Sequence, residues 1–281
     1  MITMKALAKI NLTLEVLRKR PDGFHEIRSV LQTIDLHDTL YIEESRGVSY
    51  QCDMEGWSAE KSLVSKVVAL LREETGYKGG TEIKIEKRIP LMSGLGGDSS
   101  DAAALLRGLN ELWNLDLSEE KLAELAAGLG SDVPFFLRRG TALAMGRGEI
   151  ISPLTLPEKL WLVLVVSDVP VEAGKTAKMY AALNSPHYTD GAITETLVAS
   201  LKKGKAFTPL LLFNTFENIA FEYFEGLAVY KEHLIKLGAP HIHVAGSGPT
   251  LFSVLGNKSK AQDLYKLCQD QGFKAILAGT L

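Results

Sequence analysis

The sequence predicts an α+β protein built from two domains, and three observations carry that prediction. The chain has 281 residues, more than the roughly 100–200 residues of a usual single domain. Its composition, 46% hydrophobic and 23% charged, is that of an ordinary folded protein. Strand patterns dominate the first part, whereas runs of helical pattern separate the strands of the last part. The second arrangement favours helices on one face of an antiparallel sheet.

Charge and cysteine content exclude several classes of protein. Lys and Arg number 31 against 34 Asp and Glu, so no basic face for nucleic acid is expected and the partners should be small molecules. Cys52 and Cys268 have no metal-ligand spacing, so we expect free thiols. Lys5, Lys9 and Asn11 interrupt the first twenty residues, and no later apolar run approaches the ~20 residues of a membrane span. We therefore expect a cytoplasmic protein without a membrane partner.

The first half of the chain contains strands first and helices later. Residues 9–16 alternate polar and apolar side chains, the pattern of a half-buried strand. Asp116 and Glu119 predict a capping box for a helix at about 117–128. The other predicted strands are 25–34, 39–44, 48–53, 81–88 and 140–149, and the other predicted helices are 60–75 and 99–113.

The best linker candidate is 151–159, which holds two prolines in nine residues. We place a domain boundary near 155, which gives domains of residues 1–155 and 156–281. In the second domain we predict strands at 160–166, 241–245, 249–255 and 273–278, with helices at 174–184, 190–203, within 214–237, and at 258–271.

The most informative stretch is PLMSGLGGDSSD at 90–101, where a strand ends in three glycines and a helix begins at once. Free N–H groups at a helix start, with glycines that let the backbone close around an anion, predict a phosphate site. Ser99 stands where a dinucleotide fingerprint needs its third glycine, and no lysine follows as in a P-loop. The hydroxyls of Ser99 and Ser100 remain as ligands for phosphate or Mg²⁺. The alternative is a turn that binds nothing.

Three stretches resemble the motifs of the GHMP small-molecule kinases in kind and order. They are ALAKINL at 6–12, PLMSGLGGDSS at 90–100 and VAGSGPTLF at 244–252. Residues 8–40 and 128–149 further resemble the branch of that family that phosphorylates a cytidine-diphosphate-linked alcohol in isoprenoid precursor synthesis. The resemblance implies a ribosomal-S5-domain-2-like N-terminal ATP-binding domain, a ferredoxin-like C-terminal α+β domain on the substrate side, and a cleft between them.

The resemblance implies that ATP, with Mg²⁺, binds at the glycine-rich stretch, and it assigns no protein ligand to the metal. Asp98 stands where the family has a small residue, and it either caps its helix or repels ATP; capping is the expectation. Ser62 stands where asparagine is common, so adenine contacts rest on Leu63. The implied ATP-binding residues are Pro90, Leu91, Met92, Ser93, Gly94, Leu95, Gly96, Gly97, Asp98, Ser99, Ser100 and Leu63.

Asp132 resembles the catalytic aspartate of the family, which accepts or orients the proton of the acceptor hydroxyl. It also suits the N-cap of a short helix that starts at Val133. Lys9 is expected beside it, where it either keeps the carboxylate ionised or acts on the acceptor hydroxyl. Without the resemblance, a lysine on the polar face of a strand would be only a solvated side chain.

The resemblance also implies a substrate side that recognises cytidine and its diphosphate. His25, after Phe24 in a turn, would read the cytosine edge, and Tyr180 either stacks on the base or fills the core. Asn11 either binds the diphosphate or holds Asp132. The loop Gly246, Ser247 and Gly248 either binds substrate or only turns the chain between two strands.

Two other functions stay open at this point. One is a GHMP kinase for another small alcohol, such as homoserine or mevalonate, which His25 and Asp132 disfavour. The other is a non-catalytic nucleotide-binding relative, which the acidic net charge of −3 and the presence of Lys9 disfavour. The expected partners are ATP and the cytidyl alcohol, with no nucleic acid, and the expected state is a monomer or a weak homodimer.

Overall fold

A computed structural model describes all residues of the chain, from Met1 to Leu281. The chain forms two compact units whose segments interleave along the sequence. Unit 1 comprises residues 1–8, 36–91 and 96–139, and unit 2 comprises residues 9–35, 92–95 and 140–281. No edge of either unit falls at residue 155, and the domain boundary expected there stays a prediction. None of the helices has the length and apolar character needed to cross a membrane.

The first two strands are longer than their sequence patterns predict. Strand β1 spans Ile2–Lys19 and strand β2 spans His25–Ser45, and each contributes residues to both units. The prediction of separate strands at 25–34 and 39–44 is wrong, because β2 is continuous through the polar residues between them. Asp38 does not break the strand, since its buried carboxylate accepts backbone N–H groups from Arg88 and Ile89. A charge that is satisfied in this way need not lie in a turn.

Unit 1 packs four helices with two strands and with parts of β1 and β2. Strand β3 runs parallel to β4, and β4 runs antiparallel to residues 39–45 of β2. The elements are β3 (Val48–Cys52), α1 (Leu63–Thr75), β4 (Gly80–Glu86), α2 (Gly97–Leu112), α3 (Glu119–Leu129) and α4 (Val133–Arg138). A Cβ on Gly108 would lie 2.4 Å from Ile42, so a glycine is what lets α2 lie against β2 at this point.

The helix boundaries of unit 1 follow the expected signals with one exception. Helix α1 ends at Gly76, whose φ of 70° only glycine adopts readily, as the sequence predicts. The capping box of Asp116 and Glu119 is wrong: α3 is capped by Ser118, whose side chain accepts the N–H of Lys121. Asp116 lies two residues before that cap, with a φ of 51°, in the connection between α2 and α3.

Unit 2 contains an antiparallel sheet of four strands in the order β11-β7-β10-β9. Strand β5 joins residues 27–32 of β2 to β6, and the two-residue strand β8 runs parallel to β1 at Thr13 and Leu14. The strands are β5 (Thr141–Gly146), β6 (Ile150–Leu154), β7 (Trp161–Val166), β8 (Phe213–Asn214), β9 (Ile242–Val244), β10 (Leu251–Leu255) and β11 (Lys274–Gly279). The helices are α5 (Lys175–Ala182), α6 (Ala192–Lys202), α7 (Glu217–Tyr223), α8 (Leu227–Lys236) and α9 (Lys258–Asp270).

The predicted linker at 151–159 is wrong in its first half, where β6 pairs with β5. Proline usually prevents strand pairing because it lacks an N–H group, but β6 is an edge strand that pairs with β5 alone. No strand lies on the other side of β6, so the missing N–H group of Pro153 breaks no hydrogen bond there. The antiparallel sheet with helices in the last part of the chain is confirmed, and 214–237 holds the two helices α7 and α8.

Candidate active site

The glycine-rich stretch contributes residues 92–95 to unit 2 and residues from 96 onward to unit 1. In unit 2, the backbone N–H of Lys9 donates to the carbonyl of Leu95 at 3.0 Å, and that of Thr250 donates to the carbonyl of Ser93 at 3.3 Å. Gly94 has a φ of 89°, and a Cβ there would lie 2.0 Å from the carbonyl oxygen of Ala245. Only glycine permits this approach of two backbones.

The loop Gly246, Ser247 and Gly248 connects β9 to β10 and lies against this segment. Its two glycines have φ values of 55° and 64°. The buried side chain of Asn214 donates to the carbonyls of Val244 and Gly246, at 2.8 and 2.7 Å. The predicted turn is confirmed, whereas binding by this loop stays a prediction. The sequence gives no sign of Asn214, because only the fold brings β8 next to this loop.

Lys9 and Asn11 are both buried on β1, so Lys9 is not a solvated surface lysine. The Nζ of Lys9 donates to Oδ1 of Asn11 at 2.9 Å, and Nδ2 of Asn11 donates to the hydroxyl of Ser29 at 2.8 Å. That hydroxyl in turn donates to the carbonyl of Thr13 at 2.6 Å. A Cβ on Gly246 would lie 3.1 Å from the Nζ of Lys9. The hydrogen-bond chain therefore fixes the lysine amine beside the Gly246 loop.

In unit 1, α2 begins after Gly96, and no side chain caps it. The N–H of Ser100 makes the first helical bond, to the carbonyl of Gly96 at 2.9 Å, so the N–H groups of residues 97–99 precede the helical ladder. Ser99 is half-buried and Ser100 is buried. This is the helix terminus that the glycine-rich stretch predicts, and it carries the positive end of the helix dipole.

The carboxylate of Asp98 is bound to helix α1 and not to its own helix. It accepts the hydroxyl of Ser62 and the N–H of Leu63, the latter at 3.1 Å. The prediction that Asp98 caps α2 is therefore wrong; the carboxylate completes the N-terminus of α1, where Ser62 is the N-cap. Leu63 is thereby tied to the first turn of α2. Its contact with adenine stays a prediction, as do the roles of Pro90, Leu91 and Met92.

Three charged side chains that the sequence analysis missed lie buried against the first turn of α2. The Nζ of Lys87 lies 2.5 Å from Oδ2 of Asp38 and 2.6 Å from Oδ2 of Asp101. A Cβ on Gly97 would lie 3.4 Å from the same Nζ. Burial raises the pKa of Asp101 to about 8. Asp38 accepts two further backbone N–H groups, whereas Oδ1 of Asp101 has no partner, so Asp101 is the group that keeps a proton.

Asp132 lies in unit 1 at the start of α4 and is half-buried. Its side chain makes no capping hydrogen bond, so the capping alternative receives no support, although the residue does occupy the N-cap position before Pro134. Lys9 belongs to unit 2. The pairing of Asp132 with Lys9, and catalysis by either residue, stay predictions.

His25 and Tyr180 come together in unit 2, as the assignment of both to one subsite requires. Their rings are stacked, with centroids 5.0 Å apart and an angle of 23° between the planes. Tyr180 also meets Phe216 edge-on at 4.9 Å, so it packs on the core as well as on the histidine. Tyr188, which the sequence analysis missed, has its hydroxyl 3.4 Å from Nε2 of His25. Burial, and then the charge of Lys19, lowers the pKa of His25, so its imidazole is neutral at pH 7.

Phe24 is exposed, and the guanidinium of Arg147 lies 4.8 Å from its ring centroid. This cation–π contact was not predicted, because Arg147 follows β5 and no local pattern joins it to the turn at Phe24. The substrate contact of Phe24 stays a prediction. No group of three or more His, Cys, Asp or Glu side chains is placed to hold a metal ion. Both cysteines are free thiols.

Comparison with known proteins gives the class and then the family. The sequence model of the GHMP kinases N terminal domain matches residues 62–140. A 4-diphosphocytidyl-2-C-methyl-D-erythritol kinase of Dehalococcoides mccartyi is 46% identical over 100% of this chain and 99% of its own length. A kinase of the same name from Shouchella clausii is 39% identical over 94% of this chain and 89% of its own. A crystal structure of 4-(cytidine 5'-diphospho)-2C-methyl-D-erythritol kinase superposes with a TM-score of 0.82 at 29% identity, covering 99% of each chain.

The fold and the glycine-rich helix start are those of a GHMP kinase, so the expected class is confirmed. The chain belongs to the 4-diphosphocytidyl-2-C-methyl-D-erythritol kinase family.

Proposed function

We propose that the protein transfers the γ-phosphate of ATP to the free 2-hydroxyl of 4-diphosphocytidyl-2-C-methyl-D-erythritol, a step of non-mevalonate isoprenoid precursor synthesis. The observation that carries the proposal is the uncapped N-terminus of α2, which directly follows a glycine-rich segment held by backbone hydrogen bonds. The names of full-length relatives at 46% and 39% identity support the choice of acceptor.

The phosphate donor binds on the backbone of the glycine-rich stretch. The N–H groups of residues 97–99 and the positive end of the α2 dipole suit an anion, and the hydroxyls of Ser99 and Ser100 stand in the same turn. Phosphoryl transfer needs charge neutralisation and alignment more than covalent chemistry, and this arrangement supplies both. The hydroxyls of Ser99 and Ser100 are hard oxygen donors of the kind that Mg²⁺ accepts, and a Mg²⁺ ion held there with the triphosphate would offset phosphate charge.

The acceptor hydroxyl is oriented by Asp132, which takes its proton as the oxygen attacks phosphorus. Lys9 acts beside the reacting groups, where its positive charge stabilises the charge that develops on the transferred phosphoryl group. The hydrogen bond to Asn11, anchored in turn on Ser29, holds the amine in one position. A fixed amine contributes to catalysis because no reorganisation is needed when charge develops.

The cytidine lies at His25 and Tyr180. A neutral imidazole donates from one ring nitrogen and accepts at the other, which suits the donor and acceptor groups of a cytosine edge. The stacked rings of His25 and Tyr180 offer an aromatic surface of the kind on which bases stack, worth roughly 1–3 kcal/mol for each base. Because His25 is buried, water competes poorly for its ring nitrogens, which makes its recognition of the base specific.

We further propose that the protein works in the cytoplasm as a monomer or weak homodimer and uses only small-molecule partners. The acidic net charge of −3 and the lack of a helix suited to crossing a membrane are consistent with this proposal.

The test is ADP release with Mg²⁺ and ATP against diphosphocytidyl methylerythritol, mevalonate, homoserine and no acceptor. We expect turnover with the cytidyl compound alone and a loss of about 100-fold or more in kcat for Asp132→Asn, since a positioned base contributes roughly 10²–10⁴-fold. Asp116→Asn is the matched control, because Asp116 is exposed and its positive φ suits asparagine. Turnover with another acceptor would assign a different GHMP activity, and none with any acceptor would favour a non-catalytic relative.

A further inference from the structure

Lys175 is a buried cation that neither the family motifs nor the proposed mechanism uses. It is the first residue of α5, and the residue is only 6% exposed. Its Nζ donates to the carbonyl of Met92 at 3.0 Å and also to the carbonyl of Gly248. One ammonium therefore ties the glycine-rich segment 92–95 to the loop 246–248. An ammonium carries three N–H donors, so one remains after these two bonds.

The charge of Lys175 has no counter-ion in the structure. No carboxylate pairs with it, and both of its acceptors are backbone carbonyls. Segment 92–95 and loop 246–249 contain no titratable side chain. Lys178 of α5 and Glu172, which precedes that helix, pair with each other at the surface. Burial, and then the like charge of Lys9 of β1, lowers the pKa of Lys175.

Lys175 is thus a buried ammonium without a carboxylate partner, and it lies against the glycine-rich segment 92–95. Burial of an uncompensated ammonium is costly, and a bound anion removes that cost. We propose that Lys175 is a second phosphate-binding cation of the site, which joins the two loops and takes up a proton when a phosphate group of a ligand binds. The inference rests on the proposed function, because it takes that phosphate from ATP or from the diphosphate of the acceptor.

The direction of the pH effect follows from the surroundings of the amine. Burial, with a smaller contribution from Lys9, lowers the pKa of Lys175 to about 7 in the protein without ligand. A phosphate beside the amine raises that pKa again, because the charged form gains a partner. At a pH between these two pKa values, the amine of Lys175 is deprotonated in the free protein and protonated in the complex. Binding is therefore accompanied by proton uptake and weakens as the pH rises above 7.

The experiment is isothermal titration calorimetry at pH 8 in two buffers of different ionisation enthalpy, with Mg²⁺ and AMP-PNP in one series and cytidine diphosphate in the other. The difference between buffers gives the number of protons taken up, and the two series distinguish ATP phosphate from acceptor diphosphate. We compare the wild type with Lys175→Met and Lys175→Arg. Lys178→Met is the matched control, because Lys178 lies exposed on the same helix.

With one of the two ligands, we expect the wild type and Lys178→Met to take up about half a proton more than Lys175→Met. Lys175→Met should also bind that ligand about tenfold more weakly, as expected for a lost charge-assisted hydrogen bond. Lys175→Arg keeps its charge at every pH, so it should show no added proton uptake. This variant keeps the test decisive if Lys175→Met does not fold.

Equal proton uptake in the wild type and Lys175→Arg would overturn the proposal, and so would a wild type that binds neither probe. The acceptor panel separates this outcome from a failure of the proposed function. If the wild type turns over the cytidyl alcohol but shows no proton uptake that depends on Lys175, only the inference about Lys175 fails. If proton uptake occurs and no acceptor is phosphorylated, the assigned reaction fails and the phosphate site remains.

Discussion

At the scale of single residues, the ammonium of Lys87 lies between two buried carboxyl groups, those of Asp38 and Asp101. Asp38 also accepts hydrogen bonds from two backbone N–H groups, whereas Oδ1 of the buried Asp101 has no partner. Folding therefore keeps a proton on Asp101 that the unfolded chain releases near pH 4. Because its pKa in the folded chain is raised to about 8, the stability it contributes is present below pH 4 and is lost as the pH rises toward 8.

Asp101→Asn should remove this pH dependence, because an amide has the same shape and no proton to lose. We expect the free energy of unfolding to rise by about 1–3 kcal/mol at pH 8 and to change little at pH 4, where Asp101 is protonated in the folded chain. Urea unfolding of the wild type, Asp101→Asn and the exposed control Asp116→Asn at both pH values measures the effect. A variant less stable than the wild type at pH 8 would mean that Asp101 is ionised and that its pairing with Lys87 stabilises the fold.

At the scale of elements, hydrogen bonds hold segment 92–95 and loop 246–248 together. Backbone bonds from Lys9 and Thr250 hold the segment, Asn214 holds the loop, and Lys175 joins the two. Much of the contact is between backbone atoms, so its geometry depends on glycine and not on side-chain packing. A side chain added at Gly94 should therefore displace segment 92–95 and loop 246–248 together.

Gly94→Ala should lower the stability by about 2 kcal/mol or more, because it combines a φ of 89° with a Cβ placed 2.0 Å from the carbonyl of Ala245. We expect kcat/KM for the cytidyl alcohol to fall at least tenfold, since displacement of a phosphate-binding loop misaligns the donor. Gly128→Ala is the matched control: a Cβ there meets nothing within 4 Å, and alanine favours helix α3. Wild-type turnover by Gly94→Ala would show that the approach of the two loops is not needed for catalysis.

At the scale of the whole molecule, the sequence predicts what local patterns control. Helical spacing in α1 and α2, the glycine after α1 and the glycine-rich helix start are properties of adjacent residues, and all are found. Asp98 was misassigned because its partners lie 35 and 36 residues earlier in the chain. Asn214, Tyr188 and Lys175 were missed for the same reason. Their neighbours are set by the fold, and no spacing in the sequence reports them. Lys9, Asp132 and His25 came from the family resemblance, not from any pattern of their own.

A ligand that binds only the folded chain raises the free energy of unfolding of the whole molecule, and two ligands that bind at separate sites should each do so. At 100 times its dissociation constant, a ligand adds about 2.7 kcal/mol, which corresponds to a rise in Tm of roughly 5–10 °C for a chain of this size. Mg²⁺ with AMP-PNP and cytidine diphosphate should each give such a rise, because the phosphate-binding turn and the His25–Tyr180 pair are different groups of residues. Scanning calorimetry with each ligand alone and with both tests this, and the two rises should add if the ligands bind independently. Guanosine diphosphate is the control for base recognition, since it carries the same diphosphate but a different hydrogen-bonding edge. Equal stabilisation by the cytidine and guanosine compounds would mean that His25 does not read the base, and would leave the diphosphate alone to account for binding.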